Sequence, residues 1–166
     1  MATPDIEVGK VHTARDGEAM RVLVDRLWPR GVSKERADLD EWAKDASPST
    51  DLRKEFHGGD LSFEQFADRY RAELADGDGA DGLEKLAETV CGADGRVLLL
   101  IAGDPTGDNH AQVLAQALRE QMIDNRREME SLEDRQRRAL NAAAELGLDK
   151  GHPAREEVTT DEQFFL

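Results

Sequence analysis

Two apolar runs along the chain, Val22-Leu23-Val24 and Val97-Leu98-Leu99-Leu100-Ile101-Ala102, are followed by turn residues. Each is closed by a breaker, Pro29-Arg30-Gly31 after the first and Gly103-Asp104-Pro105 after the second. Runs this short, bounded by turn residues, predict buried strands. Residues Ile6 to Val11 predict a third, weaker strand before the turn at Asp16-Gly17. Elsewhere the apolar spacing changes to three and four. Ser62 precedes Phe63, Phe66, Tyr70 and Leu74 on one helical face, with Ser62 as N-cap. Shorter helices are predicted at Asp40 to Ala46, ended by Pro48, and at Leu52 to His57, ended by Gly58-Gly59. The Gly/Asp-rich stretch Asp76 to Gly82 reads as a loop, followed by an amphipathic helix from Leu83 to Val90. After Pro105 the sequence predicts a helix from about Asn109, with Asp108 as N-cap and Ala111, Leu114, Ala115 and Leu118 on its apolar face.

Strands alternating with helices imply an α/β fold, a small parallel sheet flanked by helices with a C-terminal helical extension. The expected division is an α/β domain over residues 1–118 and a charged helical extension and tail over 119–166. Within the extension Met122, Met129, Leu132, Leu140 and Leu146 are the sparse apolar positions, and Met122, Met129, Leu132 and Leu140 are expected to lie either against the domain or against a second copy, the latter giving a homo-oligomer through the C-terminal helix. The stretch from Gly151 to Leu166 is expected to lack regular structure.

With 166 residues, 39% hydrophobic and 35% charged, the chain has enough apolar material to fold as one ordinary domain. Its 22 basic against 36 acidic residues give a net charge of -14, which opposes general binding to nucleic acid or anionic membrane. The cationic residues are 16 Arg and only 6 Lys, a bias that together with the acidity suits a halophilic protein. At 1 M salt repulsion is screened within about 3 Å, so most carboxylates need no further explanation. No apolar stretch approaches a membrane span, and the first ten residues have no apolar core of the signal-peptide kind, so a cytoplasmic protein is expected. The single cysteine, Cys91, forms no internal disulfide and reads as a small packed hydrophobe. No paired histidine spacing, phosphate loop or dinucleotide fingerprint is present, so the sequence names no metal and no cofactor.

Two constellations carry the candidate chemistry. The first, Asp25-Arg26-Leu27-Trp28-Pro29-Arg30-Gly31, lies at the carboxyl end of the first main strand, where open parallel sheets bind ligands. Arg26 and Arg30 offer forked donors for a carboxylate or phosphate, and Trp28 a flat surface, unless the tryptophan simply fills the core. The second, Asp104-Pro105-Thr106-Gly107-Asp108-Asn109-His110, opens the helix after the second main strand. Its free N–H groups favour an anion, and His110 suits proton transfer near neutral pH. If the two strands are parallel neighbours, one crevice holds both. His57, with Arg53 on the same short helix, is a further candidate, although a histidine at a helix end is also explained by the helix dipole.

The string Val22-Leu23-Val24-Asp25-Arg26-Leu27-Trp28-Pro29-Arg30-Gly31, with Leu39-Asp40-Glu41-Trp42, Pro48-Ser49-Thr50-Asp51-Leu52-Arg53, Phe56-His57 and Asn109-His110-Ala111, closely resembles the YeaO-like family of uncharacterised bacterial and archaeal proteins. The resemblance covers roughly Ile6 to Leu118. It implies a compact α/β domain and singles out Asp25, Arg26, Trp28, Arg30, Arg53, His57, Asn109 and His110, but supplies no reaction. Relatives often carry Lys where this chain has Gly103. Two readings stay open. In the first, the protein is an enzyme or binding protein for a small anionic ligand, with Arg26, Trp28, Arg30, Arg53 and Asn109 holding it and His57 or His110 catalytic. In the second, the same residues form an internal ion-pair lattice in a non-catalytic interaction module.

Overall fold

The computed structural model describes residues 3–147. Four strands, β1 (Asp5–Lys10), β2 (Met20–Leu23), β3 (Glu41–Trp42) and β4 (Arg96–Ile101), form one sheet in the order β1-β4-β2-β3. Every neighbouring pair is parallel. Val22 of β2 lies opposite Leu99 of β4, so the two apolar runs are the adjacent central strands that their composition implied. Five helices complete the α/β fold: α1 (Lys34–Ala37), α2 (Thr50–His57), α3 (Phe63–Leu74), α4 (Gly77–Cys91) and α5 (His110–Glu145).

Side chains alternate across a strand, and the two faces of the sheet are used unequally. Val22, Val24, Val97, Leu99 and Ile101 enter a large core with Leu52, Phe66, Tyr70, Leu86, Leu114 and Leu118 from the helices. Leu23 and Leu100 face a smaller cluster with Val11, Val32 and Ala37. Arg21 has the same parity as Leu23 and is enclosed on that second face, only 1% exposed. Its guanidinium donates to the carbonyls of Ala37, Val11 and Thr13. Burial draws its pKa below that of an ordinary arginine.

Two predicted elements differ. The segment Asp40 to Ala46 is not a helix: Glu41 and Trp42 pair with Val22 and Leu23 as the edge strand β3. Asp40 N–H donates to Arg21 O and Ala43 N–H to Leu23 O, so the segment satisfies carbonyls that β2 would otherwise leave bare. The short helix in this region lies earlier, at α1, where Ser33 caps Arg36 N–H. The stretch Asp76 to Gly82 is not a loop either, because α4 begins at Gly77 with Asp76 as its N-cap. Its glycines allow close approach. A Cβ on Gly82 would stand 2.5 Å from the Asp45 carbonyl carbon, and one on Gly79 2.2 Å from Glu73 O.

The remaining helix starts follow their capping residues. Ser49 accepts from Leu52 N–H, and Ser62 forms a reciprocal capping box with Gln65. The chain divides into two compact units, Met1–Arg126 and Arg127–Leu166. In the first, α5 buries Ala111, Val113, Leu114, Ala115, Leu118 and Met122. In the second, Met129, Leu132, Leu140 and Leu146 are exposed. The predicted tail from Gly151 lies outside the described residues. Among the described residues no helix is long and apolar enough to cross a membrane.

Candidate cleft at the carboxyl ends of the central strands

Beyond the carboxyl ends of β2 and β4 the chain leaves the sheet in two loops, and between them and α2 opens a cleft of about 640 Å³. Its wall includes Asp25, Trp28 and Arg30 from the first loop, Arg53 and His57 from α2, and Asn109 and His110 from the start of α5. Leu27, Phe56, Phe66 and Ile101 add apolar surface. The volume falls in the range of small-molecule sites. Gly31 has φ +71, a left-handed conformation that glycine adopts without strain, and it ends the turn that presents Arg30.

Several predicted site residues are consumed in building this wall. Arg26 is not part of it: its guanidinium donates to Pro48 O at 2.9 Å and Ser47 O at 3.3 Å. Trp28 is half-buried, packs on the smaller core cluster and donates its indole N–H to Val32 O. It meets Trp42 edge-on at 5.4 Å, and Trp42 donates to the backbone carbonyl of Asp25. Asn109, rather than Asp108, caps α5: its Oδ1 accepts from Gln112 N–H, and its Nδ2 donates to the carbonyls of Asp104 and Gly107. Asp108 sits one residue too early for that bond, because the helix starts at His110.

Asp25 and His110 tie the two loops together. The Asp25 carboxylate accepts from Ala102 N–H at 2.8 Å and lies 3.0 Å from His110 Nε2. The same ring nitrogen lies 3.0 Å from Val24 O. A carbonyl oxygen only accepts, so Nε2 bears the hydrogen. Val24 O also receives the hydroxyl of Ser47, a buried residue that the sequence did not flag and whose only cue is its place before Pro48.

Arg30, Arg53 and His57 differ from these. Arg30 and His57 are exposed, Arg53 is half-buried, and none of the three side chains has a hydrogen bond or ion pair among the described residues. Two of the three acids on the wall have partners, while the third, Asp108, is exposed with no hydrogen bond or ion pair of its side chain among the described residues. Asp25 is held by His110 and Ala102, and Asp104 by the Thr106 hydroxyl and N–H, which hold its carboxyl below the usual range. Cys91 is away from the cleft and is exposed rather than packed. Among the described residues no cluster of three or more His, Cys, Asp or Glu is placed to hold a metal.

A family model described as the inactive DUF488-N3 subclade matches residues 5–136. The uncharacterised protein YeaO of Escherichia coli is 43% identical over 106 residues, covering 64% of this chain and 89% of that protein. Uncharacterised proteins of Mycobacterium bovis and Mycobacterium tuberculosis are 36% identical over 116 residues, covering 68% of this chain and 92% of theirs. No solved structure matches.

Proposed function

The chain belongs to the YeaO-like family described as the inactive DUF488-N3 subclade, and from that premise we propose that it is a binding protein for a small anionic ligand, carboxylate- or phosphate-bearing. The observation that carries the reading is that Arg30 and Arg53 stand on the cleft wall without a partner among the described residues, in a chain with 14 more acidic than basic residues. An arginine that only stabilised the fold would find a carboxylate or carbonyl, as Arg26 does. Two unpaired guanidinium groups facing one cavity form a forked donor set for an oxyanion. His57 adds a further donor on the same wall, and the apolar lining takes the rest of a small ligand. The family's description as inactive supports retention of ligand without turnover.

The test is a thermal-shift and calorimetric screen of phosphorylated and carboxylated compounds on the full chain. Members of the panel should raise the melting temperature, since a ligand that binds the folded state stabilises it in proportion to the logarithm of its saturation. Arg30→Ala combined with Arg53→Ala should abolish that response, and truncation of the exposed Arg30 alone should change unliganded stability by less than about 1 kcal/mol. By contrast Arg26→Ala should lower stability by about 1–3 kcal/mol, because two carbonyls lose their donor. A panel without any binder, or binding that survives in the double variant, would overturn the reading.

A further inference from the structure

His110 lines the cleft but makes its internal bonds through one ring nitrogen only. Nε2 donates to Val24 O at 3.0 Å, and the Asp25 carboxylate lies 3.0 Å from the same nitrogen. This fixes both the tautomer and the ring orientation: the hydrogen is on Nε2, and Nδ1 of the neutral ring keeps a lone pair. Every buried side-chain nitrogen or oxygen among the described residues has a hydrogen-bond partner. Nδ1 has none among the described residues, so it is not buried, and His110 is a lining residue of the cleft. The site therefore contains a fixed acceptor besides its free arginine donors.

Resting on the anion-binding reading, we propose that the ligand is a hydroxylated anion, a sugar- or polyol-type phosphate or a hydroxy acid, whose hydroxyl donates to His110 Nδ1 while its charged group meets Arg30 and Arg53. Asp25 is a positioning residue in this arrangement: its carboxylate accepts from Ala102 N–H and lies 3.0 Å from His110 Nε2. A neutral hydroxyl donates to Nδ1 without adding charge to a wall that carries Arg30 and Arg53 beside the Asp25, Asp104 and Asp108 carboxylates. The acceptor also gives selectivity, since an analogue without the hydroxyl leaves Nδ1 facing the ligand with its water displaced.

The experiment compares glycerol phosphate with propyl phosphate by calorimetry on the full chain. The two share an anionic group and a three-carbon body and differ in hydroxyls. Glycerol phosphate should bind about fivefold more tightly, the effect of one hydrogen bond, and His110→Phe should bring the ratio close to one. Equal affinities in the unsubstituted protein, or no binding by either compound, would overturn this inference, whereas the anion reading falls only if the whole panel also yields no binder. A second measurement needs neither ligand nor variant. Long-range proton–nitrogen spectra of the imidazole should show His110 protonated at Nε2 in the neutral form, and a proton on Nδ1 would overturn the inference even where phosphate binds.

Discussion

Arg21 is enclosed beneath α1 with its guanidinium on three carbonyl groups, Arg26 is bound to the Ser47 and Pro48 carbonyls, and Arg30 has no side-chain partner among the described residues. Composition alone does not separate these three uses of one residue type. Strand parity separates the first, because Arg21 shares a face with Leu23, and that face was already assigned to burial by the apolar run. The other two depend on where the loop after β2 turns, which is set by the left-handed Gly31 and by the docking of Trp28, and those contacts are distant in sequence. Tyr70 is a residue-scale case with a measurable consequence. It is fully buried, donates to Ala46 O, and burial holds its phenol well above the ordinary pKa of 10.0. The unfolded chain ionises near pH 10 while the folded one resists, so this group's contribution to stability is complete below that pH and is lost as pH rises above it. Tyr70 is the only tyrosine, which makes tyrosinate absorbance a report on one site. Ionisation should appear only together with loss of the helical circular dichroism; a tyrosinate signal in the still-folded protein would contradict the assignment.

At the scale of elements, legibility followed the cause that formed each one. The strands β2 and β4 and the helix α3 are driven by their own apolar spacing and caps, so their residues announce them. The two-residue strand β3 has no such pattern and exists because β2 presents bare carbonyls at its edge. The start of α4 was hidden for the opposite reason. Its glycines suggest a turn, yet they are there to let one helix approach the backbone of Glu73 and of Asp45-Ala46. That account predicts a reversal of ordinary propensity. Replacing glycine by alanine inside a helix normally stabilises it by roughly 1 kcal/mol. Gly82→Ala should instead destabilise the protein by about 1–3 kcal/mol, since the added methyl meets main-chain atoms that cannot turn away. Denaturant melts of the variant test this, and a gain in stability would show that the approach is looser than the geometry describes.

For the whole molecule the dominant quantity is charge. The ion pairs formed by Arg15 with Asp38 and Asp40, by Arg69 with Glu55 and by Arg96 with Glu7 are on the surface, and they hold Asp38, Glu55 and Glu7 below their ordinary pKa values. Their contribution is present above the ordinary carboxylate range and is lost as the pH falls through the lowered values. Exposed pairs add little, however, and with 36 acids against 22 bases at least 14 carboxylates have no basic counterpart. Salt weakens both attraction and repulsion, and here the repulsion is the larger sum. The melting temperature should therefore rise as potassium chloride is taken from low to molar concentration, where the screening length is about 3 Å. At the cleft the sign is opposite: chloride and screening compete with an oxyanion for Arg30 and Arg53, so affinity for a phosphate ligand should fall over the same range in which stability increases. Recording both quantities across one salt series separates the acidic surface from the cationic site, and a melting temperature that stayed flat or fell would remove the case for high-salt adaptation without touching the site.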